Sequence, residues 1–439
     1  MDEKELIQRA EKAAGWLHGK AHSFDVFVKE SASTSVEVRE QKLDAYEESR
    51  TWGVGVRVLQ PDGRVGFAYS TGSDDAPETA AAMALENSTS AEPDENNIIP
   101  QPPYSAYPEA GEYDPEINSI SEQDKISRAL RLEKAALDFD PRVKRVRKSS
   151  ASFTESSWAL LNSMGIKASA SGTYFSCGIM TVAEEAGDSQ MGYDFDYRRN
   201  ASLIDFEEVG RRASDEAVRM LGAKKTPSGL FPVLLENVVA TDFLGLISAS
   251  FSAEALIKGR SLLADKLDKV IFAPSISIFD DGLMAGGLAS RPFDDEGVPS
   301  QKTALVSEGR FLSFLHSTHT AKKTGMKPTG NASRGGFRSQ PSVGSTNLYI
   351  QGGCVSKDAL IGSIKSGLMV QSVLGMHTAN PVSGDFSVGI SGQWIEDGKV
   401  AYPVREGAIS GNILDLFSGI DALANDLRFV GRVGSPSIL

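Results

Sequence analysis

The chain has 439 residues, 41 % of them hydrophobic, with a formal net charge of −13 and two cysteines. At roughly 100–200 residues per domain this length suggests two or three domains, and the apolar content supports a sizeable core and argues against wholesale disorder. The acidic balance opposes binding to a nucleic-acid backbone, and Cys177 and Cys354, far apart and outside any CxxC, encode neither a disulfide framework nor a cysteine zinc knuckle.

Residues 3–18 place Leu6, Ile7, Ala10, Ala13, Ala14 and Leu17 at i, i+3/i+4 spacing, an amphipathic helix. His18 and His22 bracket its end, where an imidazolium suits the helix dipole. Residues 24–28 and 35–39 read as strands. Residues 51–59 and 64–69 flank Pro61-Asp62-Gly63 and read as a hairpin. Gly53-Val-Gly55 lacks the third glycine of a dinucleotide loop, and its glycines suit close approach of a neighbouring backbone. Residues 74–90 are helical, and the prolines between 93 and 115 impose an extended connection.

A helix over 122–138 follows Ser121 as N-cap, with Asp124 three residues on. Residues 143–197 alternate polar and apolar, with turns at 162–165 and 186–188, and read as an antiparallel sheet. The basic run at 142–148 is a solvated strand edge, without the interleaved aromatics that single-strand binding wants. Asp205 caps a helix over 205–221. The Lys, Pro and Gly segment 222–229 marks a boundary between domains at 1–222 and 229–439. Beyond it come a strand at 231–235, a helix at 238–257, hairpin turns at 307–310 and 396–399, a strand at 311–315 and a short helix at 411–420. More than half of the 42 glycines follow residue 281. The expected fold is α+β: an N-terminal helix/antiparallel-sheet domain and a Gly-rich C-terminal curved antiparallel sheet.

The longest apolar runs, 229–235 and 243–247, fall far short of the roughly 20 residues of a membrane span. The N-terminus lacks a basic-then-apolar signal pattern, so a cytoplasmic protein is expected. No serine-nucleophile elbow, phosphate loop or GxGxxG occurs. None of the five histidines is followed by Glu, so HExxH-type motifs are absent. His316-Ser-Thr-His319 with Asp294, Asp295 or Glu296 is the one arrangement that offers zinc ligands. The same three acidic residues also read as a hard-cation site or, more simply, as a turn cluster neutralised by Arg291. The long segment 327–344 carries Lys327, Arg334 and Arg338 and reads as a flap whose arginines meet a peptide carboxylate or acidic side chain. Asn331 and Asn347 bracket it, with side chains suited to turn hydrogen bonds. Arg334, Arg338, Asn331 and Asn347 are therefore the candidate peptide-binding residues.

Five blocks of the second half resemble the TldD/PmbA family, which includes proteins called modulators of DNA gyrase. They are Gly287-Leu-Ala-Ser-Arg-Pro-Phe-Asp-Asp-Glu-Gly-Val-Pro299, Thr329-Gly-Asn-Ala332, Ser345-Thr-Asn-Leu-Tyr349, Asn380-Pro-Val-Ser-Gly-Asp-Phe-Ser387 and a group running from Gly392 to Asn425-Asp-Leu427. The resemblance implies two subunit types that pair: a TldD-like chain with an HExxxH helix and a C-terminal cysteine as zinc ligands, and a PmbA/TldE-like chain lacking them. Here the helix at the expected place reads Ala240-Thr-Asp-Phe-Leu-Gly-Leu-Ile-Ser-Ala-Ser250, and no cysteine follows Leu427. The chain is thus similar to the PmbA branch, and no catalytic or metal-binding residue carries over. The resemblance implies no cofactor bound by this chain, zinc only in a TldD-like partner, unfolded peptides as substrates, and a dimer; the charge and the short apolar runs add the expectation of no nucleic-acid or membrane partner. The alternatives are an autonomous metallohydrolase using His316 and His319, or a non-enzymatic protein-binding module.

Overall fold

The computed structural model describes residues 3–102 and 106–439. The N-terminal part runs α1 (Glu3–Leu17), β1 (Ser23–Arg39), β2 (Lys42–Leu59), β3 (Val65–Thr71), α2 (Ala76–Thr89) and α3 (Glu122–Leu137). It continues with β4 (Val143–Asn162), β5 (Lys167–Glu185), β6 (Asp188–Arg198) and α4 (Phe206–Arg219). The six strands form one antiparallel sheet in the order β3-β2-β1-β4-β5-β6. Two helix pairs cover one face. Leu6, Ala10 and Leu17 of α1 and Ala80 and Ala84 of α2 pack on Val26, Val54 and Val56. Leu132 of α3 and Val209 and Ala213 of α4 pack on Val36, Phe153 and Ile179. Alternation along the strands thereby turns the other face away from the helices.

The caps at Ser121 and Asp205 form as the sequence indicates, accepting from the amides of Asp124 and Glu208. The two short strands expected at 24–28 and 35–39 are instead one 17-residue strand. Small residues between them, Ser31 to Thr34, keep the alternation and pair with both β2 and β4. The turn into β2 contains no glycine, yet Glu40 and Gln41 both have positive φ, 52° and 56°. Glu133 of α3 holds it, its carboxylate accepting the amides of Glu40 (3.0 Å) and Gln41 (2.7 Å).

The C-terminal part begins with β7 (Lys224–Lys225), β8 (Val233–Leu235), α5 (Asn237–Ser248) and α6 (Ala253–Ile257). The single helix expected over 238–257 is interrupted because Ser252 takes an extended conformation and caps α6 through the Glu254 amide. Next come β9 (Ile278–Asp281), β10 (Lys302–Ser307), β11 (Arg310–Phe311), α7 (Thr318–Thr324), β12 (Ala332–Ser333), β13 (Ser342–Val343) and β14 (Leu348–Ile350). The strand expected over 311–315 is thus cut short, and Ser317 starts α7 with a capping box to Thr320. The chain ends with α8 (Lys357–Ser363), β15 (Ser366–Leu374), β16 (Asp385–Glu396), β17 (Lys399–Asn412), α9 (Ile413–Ser418), β18 (Arg428–Val430) and β19 (Val433–Ser435). These strands make a sheet β11-β10-β9-β14-β19-β18, a sheet β7-β17-β16-β15-β8 and a β12-β13 ribbon. Antiparallel pairing dominates, with parallel contacts at β14–β19, β15–β8 and β17–β7. One core joins α5 to both sheets: Val239, Phe243 and Ile247 meet Ile278, Leu305 and Leu348 on one side and Leu368, Val388 and Ile390 on the other. No described helix is long and apolar enough to cross a membrane.

Candidate functional site

The helix-free face of the N-terminal sheet meets the C-terminal part through a buried charge network. β1 and β2 place Asp25 directly opposite Arg57. Arg57 donates Nε to Asp25 (2.7 Å) and Nη2 to Glu296 (3.0 Å). Arg334 reaches the other oxygen of Asp25 through Nη2 (2.7 Å), and its Nε donates to the Asp295 carbonyl (3.1 Å). Asp295 in turn accepts from the Arg334 amide (2.6 Å) and from Arg291 Nη1 (2.8 Å). Asp294 accepts the amides of Glu296, Val298 and Ala332, each at 2.9 Å. Every carboxylate of the 294–296 turn is thereby committed to protein donors.

Burial raises the Asp25 carboxyl, but the flanking Arg57 and Arg334 outweigh it and hold Asp25 below the ordinary carboxylate range. Burial, followed by the neighbouring Glu296 charge, pushes Asp294 up to about 7.

The segment 327–344 is a strap rather than a free flap, tied by the β12–β13 ribbon and by Arg334, whose side chain is 0 % exposed. Phe337 seats on β2 where Gly53 and Gly55 leave room. A Cβ on Gly53 would stand 2.3 Å from the Phe337 ring, and one on Gly55 2.3 Å from its carbonyl oxygen. Phe337 joins Phe27, Trp158, Leu160 and Phe293 in an apolar cluster across the junction.

Asn331 donates to Asp280 (2.6 Å) and to the Gly344 carbonyl (3.1 Å). Asn347 donates to the Asp281 carbonyl (2.7 Å) and to Ser290 (2.9 Å), and accepts the Ala289 amide. The structure therefore brings Arg334, Asn331 and Asn347 to the loops on the C-terminal side of the junction. Arg338 stands apart, exposed and 5.2 Å from the centre of the Phe337 ring.

Between the two parts lies a cleft of about 360 Å3. Phe27, Lys29, Trp158 and Tyr174 of the sheet form one wall; Leu288, Ser290, Arg291, Arg334, Thr346 and Arg432 form the other. A second depression of about 270 Å3 shares Lys29 and is bordered by Ser31, Thr51 and residues 335–338 of the strap. A larger space of about 730 Å3, between the 226–233 linker and the β15–β17 sheet, is lined mainly by apolar side chains such as Phe231, Phe386 and Trp394. The smaller cleft is the better candidate site because it combines aromatic walls with converging polar donors.

Three buried charged residues behind the walls of this junction, Asp25, Arg57 and Arg199, are not singled out by the sequence. Asp25 and Arg57 sit inside apolar runs, Phe24-Asp-Val-Phe-Val28 and Gly55-Val-Arg-Val-Leu59, and a charge in such a run is the signal of a buried pair. Arg199, just past β6, carries no local signal at all.

The two candidate histidines take separate partners. His316 is buried, which lowers its pKa, and its Nδ1 has no hydrogen-bond partner among the described residues. His319 on α7 turns its Nε2 to Asp94 (2.9 Å). That hydrogen bond, followed by the Asn96 amide, holds the Asp94 carboxyl well below the usual range. Among the described residues no three His, Cys, Asp or Glu are grouped so as to hold a metal. α5 packs beside β18 and β19, but its one carboxylate is Asp242 and it carries no imidazole or thiol. This donor set does not fit a zinc ion, which takes three or four such ligands.

The chain is thus an antiparallel sheet backed by helix pairs and pinned through buried ion pairs to a two-sheet body. Three family models match in order: PmbA/TldA metallopeptidase domain 1 at residues 24–89, the central domain at 115–221 and the C-terminal domain at 228–439. An uncharacterised Methanocaldococcus jannaschii protein is 31 % identical over 100 % of this chain and 98 % of its own length. The metalloprotease PmbA of Escherichia coli O157:H7 is 27 % identical over 100 % of this chain and 95 % of its own. The crystal structure of a Thermotoga maritima protein, described as a candidate modulator of a DNA gyrase, superimposes with a TM-score of 0.90 at 28 % identity, covering 98 % of this chain and 97 % of that one. The chain belongs to the PmbA/TldD family.

Proposed function

We propose that this chain is the non-catalytic, PmbA/TldE-like subunit of a cytoplasmic metalloprotease complex that processes or degrades unfolded peptides. The supporting observation is α5. It lies beside β18 and β19, yet presents Ala240, Thr241, Asp242 and Gly245 where the resemblance places an HExxxH helix. Water activation by zinc needs several ligands and a general base, and this helix has none of the imidazoles. The catalytic metal then belongs to a TldD-like partner, and this chain contributes the peptide-holding cleft at its own junction.

The test is reconstitution. The purified chain, assayed on an unstructured peptide with metal analysis alongside, is expected to hold substoichiometric zinc and to cleave nothing. Adding an HExxxH-bearing family chain should produce cleavage above that of the partner alone. Stoichiometric metal with cleavage by the isolated chain defeats the proposal.

A further inference from the structure

Arg199 is 1 % exposed, and among the described residues its side chain makes one hydrogen bond, from Nη2 to the Ser290 carbonyl (3.2 Å). Its Nε and Nη1 have no acceptor among the described residues. The guanidinium lies 4.4 Å from the centre of the Tyr174 ring. Gly172 makes room for it, since a Cβ there would stand 2.8 Å from Nη1. A buried cation without a counter-charge is strongly unfavourable, so its survival in the fold asks for an anion.

Both contacts of Arg199, Tyr174 and Ser290, line the cleft of about 360 Å3. Three groups of the lining residues are also buried without an acceptor among the described residues: Arg334 Nη1, Arg291 Nε and Trp158 Nε1. The carboxylate on the cleft wall, Asp295, is already taken by Arg291 and by the Arg334 amide. Two guanidiniums and an indole of the cleft's own lining, with the Arg199 guanidinium packed directly behind Tyr174 and Ser290, thus carry surplus donors.

We infer that this cleft is an anion subsite for the α-carboxylate at the C-terminus of an extended peptide whose last side chain is apolar. A planar two-oxygen acceptor matches guanidinium geometry. The last side chain finds Phe27, Trp158 and Leu288. A polyanion is opposed by the chain's −13 net charge. The inference rests on the peptide-processing reading and names the chemical group that its cleft takes.

Calorimetric titration of the full chain tests it with three acetylated probes: a tetra-alanyl-phenylalanine with free carboxylate, the same peptide as C-terminal amide, and an amide carrying an internal glutamate. The free acid should bind, and both amides should bind at least about tenfold more weakly, as expected when a site's buried donors lose their acceptor. Arg199→Gln should weaken the free acid about tenfold or more while leaving the melting temperature unchanged or raised, because an unpaired buried charge is removed. A purely structural Arg199 would lower the melting temperature and spare binding. Arg432→Gln, at the exposed rim, should weaken binding less and reduce its salt dependence.

Equal binding of acid and amide, absence of binding by all three, or undiminished binding by Arg199→Gln overturns the inference. Tight binding of the glutamate-bearing amide overturns the terminal assignment. If a zinc-bearing partner restores cleavage while acid and amide bind alike, the carboxylate subsite falls and the subunit reading stands. Discrimination without any restored cleavage gives the reverse.

Discussion

Replacing Arg334 by methionine tests whether the strap locks the two parts together. The substitution removes the 2.7 Å bond to Asp25 and the 3.1 Å bond to the Asp295 carbonyl from a side chain with 0 % exposure. Asp25 is left with Arg57, which must also serve Glu296. Breaking a buried pair from one side costs about 3–5 kcal/mol. With about 2–4 °C per kcal/mol for a unit of 150–250 residues, the melting temperature should fall by about 6–20 °C. Limited proteolysis should cut within 327–344 in the variant before it cuts the parent. Arg338→Ala is the control, since an exposed side chain over a ring should change stability by no more than about 0.5 kcal/mol. The gap between parent and variant should also depend on pH. Asp25 is held below its ordinary value, so its contribution is present above the unfolded carboxylate range near pH 4 and is lost as pH falls through the folded value. The difference in stability should therefore shrink in acid. A variant that melts within about 1 °C of the parent, with the strap equally protected, refutes the lock.

Gly55→Ala should lower stability by about 1–3 kcal/mol in chemical denaturation, because its Cβ would stand 2.3 Å from the Phe337 carbonyl oxygen and the strap must lift. Glu133→Ala should cost about 1.5–3 kcal/mol and speed amide hydrogen exchange at Glu40 and Gln41, which lose their common acceptor. Burial, then the charges of Asp194 and Glu236, push Glu216 up to about 7 against a hydrogen bond from the Tyr193 amide. A raised carboxyl favours folding while protonated, so stability should decline as pH rises from the ordinary 4.5 towards 7. Glu216→Gln should flatten part of that decline in a pH series of melting curves, and an unchanged slope would refute the shift.

What the sequence reveals depends on how local the cause is. The helix starts at Ser121 and Asp205 are visible because the capping oxygen and the amide it satisfies lie within three residues. The β1–β2 turn is not, since the carboxylate that holds it comes from Glu133, more than 90 residues away. Strands of two or three residues, such as β11, β12 and β19, carry no periodicity, and their existence follows from the sheets that receive them. At the site, Gly53 and Gly55 are legible as places of close approach, though not that Phe337 fills them. Asn331, Asn347 and Arg334 stand out as polar groups around a long loop. Their roles come from Asp280, Ser290 and Asp25, and the last of these lies 309 positions from Arg334.

A junction held by Asp25, Arg57, Glu296, Arg334 and Asp295 is not the arrangement that maximises adhesion, because apolar residues of similar volume often stabilise as well or better than buried ion pairs. Adhesion here comes from Phe27, Trp158, Phe293 and Phe337. What the charges add is direction. The two oxygens of Asp25 each accept from a different arginine, one from β2 and one from the strap, and a small slide of either part would strand both. The walls of the adjoining cleft are therefore fixed relative to each other by groups that cannot re-pair, as a pocket built from two parts requires before it can discriminate among ligands. Arg199 departs from this rule: it packs against Tyr174 and Ser290 of the cleft wall, and among the described residues no ion pair holds it. In a junction where Arg57, Arg334 and Arg291 each have a carboxylate, that surplus is what a ligand would complete.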